Sequence, residues 1–198
     1  MRDANNRNHA WERWNALIAG TIGAVSLLLQ LAGPGFKEVL RYQRDAILQG
    51  QLWRLLTGQL VHLGWAHLVP NLVALALITA LFGRMFRPRN WAWICTGSFL
   101  GTALGLLAFE PTLQWYVGLS GALHGLFAAG TVISLRRRER GALLLLLALL
   151  VKLGWEQLAG SVPGSAEWIG GTVITAAHLY GTMGGALTGL LLAVRETE

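Results

Sequence analysis

The stretch GLSGALHGLFAAGTVISL, residues 118–135, decides how the rest of the chain is read. It is apolar over most of its length, yet Ser120 stands between Gly118 and Gly121 at its mouth and His124 follows one turn later. A serine there can cap a helix, pack as a small residue or act as a nucleophile. The residues around it must decide.

Of the 198 residues, 54% are hydrophobic and only 13% charged, about half the charged share of an ordinary soluble domain. The apolar residues are gathered into long runs, and a helix needs about 20 of them to cross a bilayer. The chain therefore reads as an all-α polytopic membrane protein, one domain over residues 1–198. Its net charge of +6 could indicate a nucleic-acid partner, but the basic residues lie between apolar runs, which points to membrane topology and to the bilayer as partner. Cys95 is the one cysteine and lies within an apolar run, so no intrachain disulfide forms.

Working outward from residues 118–135 as the fourth span, the others fall at about 14–32, 57–83, 91–109, 141–158 and 171–194. No cleavable signal peptide is expected, because the first apolar run is longer than a signal core. Gly33-Pro34-Gly35 ends that run, and residues 36–57 mix charged and apolar groups as a membrane-associated first loop would. Six spans place both termini on one side. Eleven basic residues fall on that side and five on the other (Lys37, Arg41, Arg44, Arg54 and Lys152), so the positive-inside rule puts both termini in the cytoplasm. Spans two, four and six then all begin on the outer side.

That topology brings polar residues together. His62, His67 and Asn71 fall in the outer half of span two, Ser120 and His124 in the first turns of span four, and His178 about two turns into span six. A lone intramembrane histidine can be a packed, hydrogen-bonded group. Four at one level beside a serine and an asparagine point to a cavity with chemistry. Acyl transfer is the reaction most easily built from them, since a serine hydroxyl needs an adjacent base and neutral histidine suits it. Every carboxylate sits in a loop, a tail or a span end, so a Ser-His dyad is expected rather than a triad. The start of span four leaves backbone N–H groups free for an oxyanion, and His67 and Asn71, four apart on one face, can add donors. Gly121 and Gly125, and Gly181, Gly185 and Gly189, recur at the spacing that lets membrane helices approach closely. Gly97, Gly101 and Gly105 are read as packing only.

Gly118-Leu119-Ser120-Gly121, Ala177-His178-Leu179-Tyr180-Gly181 with Gly185, Trp53-Arg54 and His67-Leu68-Val69-Pro70-Asn71 stand in this order along the chain. Together they resemble the GxSG, AHxxGxxxG, Trp-Arg and HxxxN motifs of the rhomboid intramembrane serine proteases. The resemblance implies a six-helix bundle, Ser120 as nucleophile and His178 as general base. It also implies an oxyanion hole of His67, Asn71 and the Ser120 N–H, a structural His62, and Trp53 and Arg54 as interface anchors. Many rhomboids carry a tyrosine where this chain has His124; the histidine and the GLSGxLHG wording look like the rhombosortase branch of bacterial rhomboids. That branch implies an inner-membrane enzyme with its site toward the periplasm. Its substrates would be single-span membrane proteins with a C-terminal Gly-Gly motif, an apolar helix and a basic tail.

Three other readings compete. One is a general rhomboid protease with broader transmembrane substrates. Another is a non-catalytic rhomboid-like binder of membrane helices, against which the intact Ser120 and His178 argue. The third is a metal or haem site, disfavoured because His62 and His67 share a helix face poorly and no HExxH is present. No cofactor or metal is expected.

Overall fold

The apolar runs become helices, and glycine and proline set most of their ends. The computed structural model describes residues 2–195, with the side chains of 10–192; the charged tail after Arg195 lies outside the described residues. Helix α1 (Arg2–Leu31) stops before Gly33, whose φ is 91°. Pro34 then opens α2 (Pro34–Leu40), where its missing N–H leaves no bond unmade. Strand β1 (Tyr42–Gln43), α3 (Arg44–Leu48) and α4 (Arg54–Thr57) complete the first connection. The long helices follow: α5 (Trp65–Phe82), α6 (Pro88–Phe109), then, after β2 (Trp115–Tyr116), α7 (Ser120–Arg136) and α8 (Ala142–Ala159). The short α9 (Ser165–Ile169) precedes α10 (Thr175–Arg195).

Arginines pin the first connection to the bundle. Arg44 donates to the carbonyls of Leu107 at 2.9 Å and Glu110 at 3.3 Å, at the end of α6. β1 pairs antiparallel with β2, Tyr42 opposite Tyr116. Arg54 donates to the carbonyls of Arg41 at 2.9 Å and Glu38 at 3.2 Å. The guanidinium is thus engaged inside the connection, and only Trp53 of the pair is left substantially exposed.

Four helical segments among the described residues are long and apolar enough to cross a membrane: Ala10–Leu31, Trp65–Phe82, Pro88–Phe109 and Ala142–Ala159. The chain is accordingly a multi-pass membrane protein. The other two expected spans, α7 and α10, are different in kind. α7 is 17 residues long and most of it is buried, and α10 is diluted by glycine, threonine and histidine.

Two expected boundaries are corrected. The helix of span two begins at Trp65, not near residue 57, because Gly58 ends the short α4 and an extended Gly64 precedes α5. His62 therefore lies in the turn before the helix. The sixth helix begins at Thr175 rather than 171, behind Gly170 at φ 77° and Gly171. His178 is thus in its first turn, not two turns in.

α10 packs most intimately against α7 and α6. A Cβ added at Gly121 would stand 2.9 Å from the Ala177 carbonyl oxygen, and one at Gly101 2.7 Å from the Gly184 Cα. Backbone meets backbone along both seams, as small-residue spacing allows in membranes. The glycines of α6 thus complete the cradle of α10. The largest apolar cluster, including Phe82, Trp91, Ile94, Leu119 and Leu126, fills the space among α5, α6 and α7.

Candidate active site

Because α7 and α10 start at the same end of the bundle and touch through glycine, their first turns face each other. Ser120 Oγ and His178 Nε2 are 2.9 Å apart. Leu119, not Ser120, is the N-cap of α7, and the serine hydroxyl is turned to His178, so the helix-cap explanation for it fails. The expectation that no carboxylate lies near His178 is corrected: Glu156 Oε2 stands 2.8 Å from His178 Nδ1. The reason is antiparallel geometry, since α8 ends where α10 begins. Leu149, Leu153 and Glu156 form one buried stripe at i, i+4 and i+7, which turns Glu156 inward although it stands at the helix end. That stripe is the signal in the sequence that could have revealed it. Oε1 of Glu156 meets the ammonium of Lys152, one turn earlier.

These contacts determine proton positions. A carboxylate accepts, so His178 Nδ1 carries the hydrogen and Nε2 presents its lone pair to the serine hydroxyl. His124 lies flat on His178, with ring centroids 4.1 Å apart and planes at 15°. Its Nδ1 is 2.8 Å from the Ser120 carbonyl oxygen, which can only accept, so His124 Nδ1 is also a donor.

The opposite wall of the site is built from α5 and the turn before it. Gly118 takes φ 117°, a conformation that favours glycine, and a Cβ there would lie 2.7 Å from His67 Nε2. The Gly118 N–H donates to the Gly58 carbonyl at 3.1 Å, and the Tyr116 hydroxyl donates to the Gly118 carbonyl at 2.8 Å. Burial pushes the Tyr116 phenol up to about 12, so it remains a donor at any physiological pH. His67 Nδ1 accepts the Leu63 N–H at 3.4 Å, leaving Nε2 as the protonated nitrogen. His62 Nε2 accepts the Leu119 N–H at 3.4 Å and meets the His67 ring edge-on, with centroids 5.1 Å apart. His62 thereby braces the residue before the serine. Asn71 donates one N–H to the His67 carbonyl at 2.9 Å and keeps the second. α5 continues through Pro70 without interruption.

A family model described as "Rhomboid domain" matches residues 49–195. The chain belongs to the rhomboid family. It is similar to the protein named "Putative rhomboid protease YdcA" of Bacillus subtilis (strain 168), 28% identical over 156 residues, covering 76% of this chain and 72% of that protein. It is also similar to "Rhomboid protease GluP" of the same organism, 30% identical over 97 residues, covering 49% of this chain and 19% of that one.

Two cavities of this rhomboid meet at Ser120. One, of about 570 Å³, is lined by His67, Tyr116, Val117, Ser120 and Ile174 at the loop end of the bundle. The other, of about 270 Å³, is a more apolar groove along α5, α7 and α8, lined by Asn71, Ile78, Ser120, His124, Phe127 and Lys152. Ligand atoms of His124, Glu156 and His178 lie within 4.8 Å of one another. The two imidazoles are stacked parallel, however, whereas a tetrahedral metal needs in-plane lone pairs that converge. Glu156 already carries the Lys152 ammonium.

Proposed function

We propose that this rhomboid is an intramembrane serine endopeptidase of the rhombosortase type, working through a Ser120–His178 pair. The observation that carries the reading is the 2.9 Å approach of Ser120 Oγ to a His178 Nε2 whose lone pair faces it. The protease names of its relatives support the same activity. Ser120 Oγ attacks the scissile carbonyl carbon as its proton passes to Nε2. The resulting oxyanion is met by the Ser120 N–H, which has no helical partner, by His67 Nε2–H and by the free Asn71 N–H. Collapse breaks the C–N bond, and the leaving amine takes the proton from Nε2. Water, or an amine acting in its place, then attacks the acyl-serine with His178 again accepting the proton, and the bond from the acyl carbon to Oγ breaks as Nε2 returns that proton to Ser120.

In this reading all six long helices cross a bacterial inner membrane. Both termini are cytoplasmic and the wider cavity opens toward the periplasm. The apolar groove receives a single-span substrate while water reaches Ser120 from the other side. His124 in place of a tyrosine favours substrates that end in Gly-Gly, an apolar span and a basic tail. The relatives' names, which say only rhomboid protease, favour broader transmembrane substrates as the second reading. Matched single-span reporters with Gly-Gly intact or changed to Leu-Leu separate the two. Cleavage confined to the Gly-Gly reporter is expected. Equal cleavage of both would replace the sorting role with the general one, and cleavage that survives S120A would remove the site assignment.

A further inference from the structure

Glu156 is 3% exposed in the side chain, and the chemistry above does not use it. A buried carboxylate is costly unless it is paired and hydrogen-bonded. Its two oxygens are engaged separately, Oε2 by His178 Nδ1 and Oε1 by the ammonium of Lys152, a half-buried side chain that lines the apolar groove. We infer that Glu156 is a positioning residue of the reaction, turning the Ser120–His178 pair into a Ser–His–Glu constellation oriented by Lys152. The inference rests on the reading of Ser120 and His178 given above.

As acceptor, Glu156 keeps the hydrogen on His178 Nδ1 and the lone pair on Nε2, 2.9 Å from Ser120 Oγ. When the serine proton arrives at Nε2, the ring becomes a cation, and Glu156 remains ionised beside it. The other groups facing that ring do not supply such a charge. His124 stacks on it, His67 lies across the serine on α5, and Lys152 is held on the far carboxylate oxygen. Lys152 also removes an ambiguity, because an ammonium can only donate and so dictates which end of a side chain at 156 faces it.

The Lys152 ammonium thereby separates an orienting role of Glu156 from a merely structural one. In E156Q the amide oxygen turns to Lys152, its NH2 faces His178 Nδ1, and the hydrogen is driven to Nε2, the wrong tautomer. In K152M/E156Q the amide is free to flip and accept from Nδ1 again. The full chain in membranes is treated with a fluorophosphonate probe, and the labelling rate of Ser120 is followed against probe concentration. E156Q is expected to lower the limiting rate by up to about 10⁴-fold, the loss seen when the orienting acid of a serine triad is replaced by its amide. The probe concentration at half-saturation should not move. E156D should recover part of the rate, and K152M/E156Q should react about tenfold or more faster than E156Q, a reversal of its tautomer lock.

E156Q labelled at the wild-type rate would overturn the inference while leaving the Ser120–His178 reading intact. So would a double variant no faster than E156Q, which would make Glu156 a packing clamp between α8 and α10. If E156Q does not accumulate, E156D and K152M decide: loss of rate in both without any change in thermal stability supports orientation, and wild-type rates in both overturn it. Absence of labelling on wild-type Ser120 would instead bring down the underlying reading.

Discussion

Two histidine pairs flank Ser120, and they are built in opposite senses. His62 and His67 meet edge-to-face at 74° and each accepts a backbone N–H, from Leu119 and Leu63. His124 and His178 lie stacked at 15° and each places its Nδ1 hydrogen on an oxygen, of Ser120 and Glu156. Accepting at Nδ1 leaves His67 with a donor at Nε2. Donating at Nδ1 leaves His178 with a lone pair at Nε2. The same side chain thus furnishes an electrophilic wall on one side of the serine and a basic one on the other. What each ring is bonded to behind the site decides which face it offers in front.

After the Glu156 variants on the basic side, the largest effect expected from breaking the contrast comes on the electrophilic side. In the proposed mechanism H67L removes an oxyanion donor, so kcat for reporter cleavage should fall about 10²–10³-fold with KM little changed. A wild-type kcat would exclude His67 from the oxyanion hole. The backbone seam that holds the two sides in register comes next. G181V forces side-chain atoms onto the Gly121 backbone, which the structure already holds in close approach, and should destabilise the bundle by about 1–3 kcal/mol or more. Thermal unfolding in detergent reads this; an unchanged midpoint would mean the α7–α10 seam is looser than described. The smallest effect is expected at His124. H124F keeps a flat ring over His178 but loses the bond to the Ser120 carbonyl, worth about 0.5–1.5 kcal/mol, so kcat/KM should fall only about 3–10-fold. A loss as large as that of H178A would give His124 a part in the proton transfer itself.

How much of this was legible in the sequence differs by region. Ser120 and His178 could be read because glycine spacing brackets both, and because a shared start level follows from counting spans. His67 and Asn71 could be read as neighbours because they are four apart. The helix starts could not be placed as well, since the apolar pattern runs on through residues that glycine conformations exclude from the helix. That is how His62 moved into a turn and His178 into a first turn. Glu156 is hidden in the sequence because a carboxylate at a span end reads as solvated. Its position on the Leu149–Leu153 stripe carried the contrary information. α7 shows the same lesson from the other side: with glycine, serine and histidine among its apolar residues it is mostly buried, because these small and polar residues face partners rather than lipid.

The central claim is that His178 activates Ser120 as a nucleophile. Peptide mapping of the chain after reaction with a fluorophosphonate in native membranes tests it directly. The account predicts one adduct, on Ser120, formed by the wild type and lost in H178A. An adduct on another serine, or equal labelling of Ser120 in H178A, would contradict it.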